Sequence, residues 1–209
     1  MKLRVALPTP RTVAIGLAAV LVAGLLGAGG WYWYAVSQQR AMAAYAEALT
    51  RALPAQSPEA TGEARAAAIG ELEAVLLRHP SGRGADQVAY QLGNLRYQAQ
   101  QYAQARGAFE LAVAQGAPRT LRTLSQGGVA YTWEAERDYA KAIAAFKAAL
   151  EGLGPKDFYY EELLLGLGRV QELGGQKAEA IATYRRALNE LTQTRRAEEI
   201  RARLAALGA

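Results

Sequence analysis

Residues 92–118 read LGNLRYQAQQYAQARGAFELAVAQGAP, and the same pattern returns twice. Residues 129–155 read VAYTWEAERDYAKAIAAFKAALEGLGP, and residues 167–191 read LGRVQELGGQKAEAIATYRRALNEL. Leu92, Val129 and Leu167 correspond, as do Ala105, Ala142 and Ala180. Phe109, Phe146 and Tyr184 follow at the same offset, then Ala112, Ala149 and Ala187, with spacings of 37 and 38 residues. Apolar positions recur at three- and four-residue intervals within each unit, the period of an amphipathic helix. Ala is abundant, and it is the best intrinsic helix former. A small residue beside each aromatic lets two helices cross closely while the ring fills the gap to the next unit. Each unit therefore reads as a helical hairpin, and stacking several buries a continuous core.

Upstream, EARAAAIGELEAVLLRHP places Ala68, Leu72, Val75 and Pro80 in a degenerate fourth unit, whose first helix is expected over residues 42–53. Prolines 80, 118 and 155 are expected to stop the second helices, because Pro cannot continue a helix. Units are thus placed at about 41–80, 86–118, 123–155 and 161–191, with a capping helix at 195–207 whose Ile200, Leu204 and Leu207 share one face. The fold class expected is all-α: an α-solenoid behind an N-terminal apolar helix.

This layout resembles the tetratricopeptide repeat, in which Leu-Gly stands on the first helix and Ala, an aromatic, Ala and Pro follow along the second. Leu92-Gly93 and Leu167-Gly168 keep the first signature, and Val129-Ala130 departs from it. The period exceeds the usual length of about 34 residues, which implies lengthened connections near residues 116–120 and 152–157. The resemblance implies a concave face lined by the first helices. On this sequence that face takes Gln87, Tyr90, Asn94, Tyr97 and Gln98, then Leu124, Tyr131 and Glu134, then Glu162, Leu165, Arg169 and Glu172. Tyr90, Asn94 and Tyr97 share one helix face. Tyr gives contact area with little entropy lost, and Asn can bond a peptide backbone. Arg169 alone does not make the cationic clamp that some of these repeats use for a terminal carboxylate.

Ahead of the repeats, no charge occurs between Arg11 and Arg40. Residues 12–36 are apolar for long enough to cross a hydrocarbon core about 30 Å thick. Trp31, Tyr32, Trp33 and Tyr34 close the segment, where amphipathic rings prefer the headgroup level. The run is longer than a signal-peptide core and lacks a clean A-x-A site, which favours an uncleaved anchor. Ala19, Ala23 and Gly27 stand at four-residue spacing and could receive a second helix. Lys2, Arg4 and Arg11 predict that residues 1–11 stay cytoplasmic and that residues 37–209 are exported. In a bacterium that means an inner-membrane protein with a periplasmic domain. The combined layout resembles the ancillary Sec-translocon subunit (YfgM-like) family, which implies association with the translocon and periplasmic folding factors.

Net charge is +5, but the three N-terminal cations leave 21 basic against 19 acidic residues beyond them. So balanced a surface is not a phosphate-binding stripe, and no nucleic-acid partner is expected. The chain has no Cys and one His, His79, so thiol, haem and zinc chemistry have almost no material. His79 and Ser81 adjoin a helix end without a nucleophile elbow. The acidic groups 134/136/138, 161/162 and 198/199 read as solvated helix faces, not metal loops. The sequence predicts no enzyme and no cofactor. It predicts a scaffold or accessory subunit whose partners are the lipid bilayer and other proteins. The alternative is a purely structural subunit held by its anchor and solenoid edges.

Overall fold

The computed structural model describes residues 10–209. Lys2 and Arg4 lie outside the described residues, as does the side chain of Ala19. Among the described residues the chain is all-helical. Helix α1 (Pro10–Ala52) runs unbroken for 43 residues, or about 64 Å at 1.5 Å per residue. Its N-terminal part is long and apolar enough to cross a membrane, and Trp31, Tyr32, Trp33 and Tyr34 are all exposed. Its C-terminal part belongs to the first repeat, with Ala41, Tyr45, Ala48 and Ala52 buried. The expected boundary at 36/37 thus falls inside one helix.

A short 3-10 turn, Leu53–Gln56, leads to α2 (Gly62–Arg78), where the Thr61 hydroxyl accepts the Ala64 N–H at 3.1 Å and caps the helix. Antiparallel pairs follow: α3 (Ala85–Gln98) with α4 (Tyr102–Ala114), α5 (Arg119–Ala135) with α6 (Tyr139–Leu150), and α7 (Tyr160–Leu173) with α8 (Lys177–Glu190). Helix α9 (Ala197–Ala206) closes the stack. α1 packs on α3 and α3 on α5, so the first helices crowd together on the inside of the solenoid.

The aromatic register holds the units together. Phe109 and Phe146 are almost wholly buried, and Tyr184 nearly so. A Cβ on Gly93 would lie 2.6 Å from the Phe109 ring, and one on Gly128 would lie 2.7 Å away. Phe109 is therefore clamped between the first helix of its own unit and that of the next. Gly166 gives Phe146 the same room and Gly168 gives it to Tyr184, each at 2.6 Å. Ala105, Ala142 and Ala180 are fully buried at the helix crossings.

Two expectations need correction. The extra three residues of the second unit are not in a loop. Leu92 is the eighth residue of α3 and Leu167 the eighth of α7, whereas Val129 is the eleventh of α5. Helix α5 is extended by one turn at its start, and only the connection between α6 and α7 is long. Nor does Pro118 stop α4. It stands immediately before α5 as its cap, and α4 has already ended at Ala114 with Gly116 at φ +82°. Pro155 likewise sits in the loop, beyond Gly152 at φ +72°.

The first helices end in a repeated device. Gln100, Arg137 and Gly175 have φ of 59°, 60° and 75° and occur at the repeat spacing. After each, an N–H reaches back five residues: Gln101 to the Arg96 carbonyl at 2.8 Å, Asp138 to Trp133 at 3.0 Å, and Gln176 to Gln171 at 2.8 Å. This is the Schellman closure, which satisfies carbonyls the helix leaves open. Helix α9 ends the same way, with Gly208 at φ 74° and the Ala209 N–H on the Leu204 carbonyl at 3.0 Å. The cap is thus built as the first helix of a further unit.

Candidate interaction groove

The repeat spacing arranges the first helices in rows. Asn94, Tyr131 and Arg169 form one row, and Tyr97, Glu134 and Glu172 another. Gln87, Leu124 and Glu162 form a third nearer the helix starts. Tyr90, Asn94, Tyr97, Tyr131, Glu134, Glu162, Arg169 and Glu172 are half-buried, as groups lining a groove should be. Gln87 and Gln98 are exposed, and Leu124 is partly covered.

The two middle rows are tied across helices. Arg169 grips Glu134 with both oxygens, Nε to Oε1 at 2.6 Å and Nη2 to Oε2 at 2.8 Å. A bidentate pair of this kind is among the stronger charge-assisted contacts. Glu134 holds the guanidinium pKa above its ordinary value, chiefly through these hydrogen bonds. Arg169 also lies 5.9 Å from the centroid of the Tyr131 ring. Being engaged by Glu134, it is not free to bind an incoming carboxylate.

Tyr131 stands edge-on to Phe146, with ring centroids 5.1 Å apart, so the groove floor rests on the inter-unit core. Its hydroxyl donates to Glu162 at 3.4 Å. Burial, then the neighbouring Tyr159 and Glu162, push the Tyr131 phenol well above its ordinary pKa. Burial also raises Tyr97, with Glu134 adding to it. These tyrosines are therefore neutral donors at physiological pH. Tyr97 packs against Tyr102 at 5.4 Å, and Tyr90 against Phe109 at 5.9 Å.

The remaining groove carboxylates are neutralised by α9 and its approach. Arg196 lies 2.8 Å from Glu162, and Arg203 lies 3.3 Å from Glu172, which also accepts the Tyr184 hydroxyl at 3.1 Å. α9 also covers Leu165. Expected in the groove, Leu165 is only 7% exposed and belongs to the core cluster with Ile200.

Sequence reasoning missed Tyr159, Tyr102, Arg196 and Arg203. Tyr159 precedes α7 with φ 70°, an unfavourable conformation for a bulky side chain. Its ring lies over Gly127, where a Cβ would stand 3.0 Å away, so that glycine makes room for it. The aromatic run at residues 158–160 was the available signal. Arg196 and Arg203 were hidden by treating the cap as a solvated end.

The acidic group at 134, 136 and 138 resolves into pairs with three different cations, Glu134 meeting Arg169. Glu136 meets Arg106 at 2.9 Å, and Asp138 meets Lys141 at 2.7 Å while capping α6. Trp133 is held between the same two cations, with the Arg106 guanidinium 3.4 Å and Lys141 Nζ 4.3 Å from its ring centroid. Among the described residues no group of His, Cys, Asp and Glu could hold a metal ion. His79 closes α2, and its carbonyl accepts the Tyr45 hydroxyl.

The geometry offers hydrogen-bonding side chains and aromatic faces along three successive helices, with the charges paired internally. A family model described as a tetratricopeptide repeat-like domain matches residues 11–209. No curated protein matches the chain.

Proposed function

The chain belongs to the tetratricopeptide repeat-like domain family, and from that premise we propose that it is a membrane-anchored scaffold or accessory subunit. In this reading the inner face of α3, α5 and α7 receives an extended segment of a partner protein. Domains of this family commonly bind other proteins. The observation that carries the reading is the row Asn94, Tyr131 and Arg169 beside the row Tyr97, Glu134 and Glu172. These side chains are half-buried, hydrogen-bonding and free of net charge, since Glu134 and Glu172 are matched by arginines. Such a surface suits a peptide backbone with aromatic or apolar side chains better than a strongly charged segment.

The test is co-purification of partners with the full chain from mild detergent. Tyr97→Ala with Tyr159→Gly removes two rings and gives position 159 the residue its positive φ favours. Each lost aromatic anchor costs on the order of 2 kcal/mol, so capture should weaken at least about a hundredfold at ~1.4 kcal/mol per tenfold. Undiminished capture by a folded variant would refute groove binding.

The exposed apolar part of α1 supports an anchor, and Arg11 with Lys2 and Arg4 supports an N-terminus kept in the cytoplasm. A C-terminal alkaline-phosphatase fusion should then be active, and a cytoplasmic reporter at the same place inactive. The resemblance to ancillary Sec-translocon subunits makes the translocon and periplasmic folding factors the first partners to look for. A second reading, the purely structural subunit, is favoured by apolar clefts on the outer face, one lined by Leu76, Leu77, Leu92 and Leu111 with Leu77 82% exposed. In that case the groove variant would leave assembly intact.

A further inference from the structure

The loop between α2 and α3 does not leave the first repeat at random. It descends along α1 towards the aromatic cluster. The His79 carbonyl accepts the Tyr45 hydroxyl. Gly82 then packs so closely that a Cβ there would lie 2.6 Å from the Ala41 Cβ and 2.9 Å from the Tyr45 ring. The Arg83 N–H next donates to Gln38 Oε1 at 2.9 Å. Gly82 meets Ala41 and the Tyr45 hydroxyl together, and Ala41 and Gln38 are three residues, about 4.5 Å, apart along the helix axis. Gln38 is four residues, about 6 Å, beyond Tyr34.

Because α1 is one unbroken helix across this region, the height of the loop is fixed by the height of the aromatic cluster. With Trp31 to Tyr34 at the headgroup level, residues 38–40 and 83 stand at the phosphate layer. Arg40 and Arg83 are both exposed there. Arg78 ends α2 about one turn higher, and the nearest carboxylate in the loop's own sequence is Asp86, in the first turn of α3. Arginine stems can lie along the interface while their heads reach phosphate oxygens.

We propose that Arg40 and Arg83 bind anionic phospholipid headgroups and so seat the first repeat on the bilayer. The contact rests on the anchor reading above, which it extends from a tether to an oriented platform. The edge of the solenoid carrying the starts of α3, α5 and α7 then faces the membrane, and the turn before α8 points away from it. A basic residue near an anionic surface contributes about a fivefold preference.

The chain has no Cys, so one introduced cysteine gives a unique label. The full chain carrying a bimane at Ser81→Cys is placed in nanodiscs of phosphatidylglycerol and phosphatidylcholine. A trace of either lipid bears a nitroxide near its headgroup. The nitroxide on phosphatidylglycerol should quench about fivefold or more better than the one on phosphatidylcholine. The ratio should fall to about one in Arg40→Gln with Arg83→Gln, and a label at Lys177→Cys should be quenched by neither. Equal quenching by the two lipids, or a preference that survives the double substitution, overturns the proposal. A label at Gly27→Cys tests the anchor separately. Its quenching by nitroxides deep in the acyl chains shows the helix in the bilayer. Absence of that quenching refutes the anchor and the lipid seat with it.

Discussion

The inner and outer faces of the solenoid are made by the same repeat but differ in chemistry. The inner face carries half-buried tyrosines and paired charges on α3, α5 and α7. On the outer face, α2, α3 and α4 bound an apolar cleft of about 430 Å³, and α4, α5 and α6 bound another of about 360 Å³. The second is lined mainly by Val113, Ala114, Val129, Ala145 and Ala148. A third cleft, between α6, α7 and α8, turns polar with Lys147, Gln171, Thr183 and Arg186. Alanines line much of the second cleft and leucines wall the first, so both are apolar contacts between packed helices. Packing does not account for Glu134 and Arg169, which the inner face places across two helices.

Phe146 underlies both faces, and its loss should have the largest effect. Phe146→Ala should cost about 3–5 kcal/mol through the cavity it leaves, read by urea unfolding of the full chain in detergent. Lys147→Ala, one residue on but exposed, should stay within about 0.5 kcal/mol. Equal losses at the two sites would mean that the register relating the faces is wrong. Gly166→Ala attacks the same slot from α7. Its new methyl would meet the Phe146 ring, at a cost of about 1–3 kcal/mol.

A smaller change sharpens the edge between the faces. Arg137 has φ 60° at the end of α5, where Gly would be at ease. Arg137→Gly should raise stability by up to about 1 kcal/mol, and Gly175→Ala, its counterpart, should lower it by a similar amount. A loss of stability in Arg137→Gly, or a gain in Gly175→Ala, in thermal melts would deny that the two positions are equivalent.

Raised tyrosines predict an alkaline limit, and the inner face supplies three of them. Tyr131, Tyr97 and Tyr159 all have raised pKa values, with burial the first cause. A phenol raised in the folded state gives a contribution complete below its unfolded value near 10, lost as pH rises towards the folded value. Thermal stability should therefore decline from about pH 10 upward, and less steeply in Tyr131→Phe. An unchanged decline in that variant would locate the alkaline sensitivity elsewhere.

The hairpins were legible because Ala105, Ala142 and Ala180 and the aromatics four positions later repeat without a change of offset. The glycines opposite them, Gly93 and Gly168, were legible for the same reason. Gly128 and Gly166 were harder, because each serves the ring of the preceding unit and so lies outside its own unit's pattern. The extra turn of α5 was misread as a loop, since residues 119–121 carry no breaker and their helical state depends on where α4 ends. In the groove, the row positions followed from register alone. What they touch did not: Leu165 and Arg169 occupy neighbouring turns of α7, yet α9 covers the first, while Glu134 of α5 engages the second. The strained Tyr159 lies in the longest inter-helix connection beyond α3, where periodicity offers no guide.

The most direct test of partner binding on the inner face is photo-cross-linking from each face of the full chain in the cells that express it. A benzophenone side chain replaces Asn94 in one variant and Ala148, on the outer face, in another. Cross-linking of a partner from position 94 and none from position 148 is the predicted result. Cross-linking from position 148 with none from position 94 would contradict it and move recognition to the outer clefts.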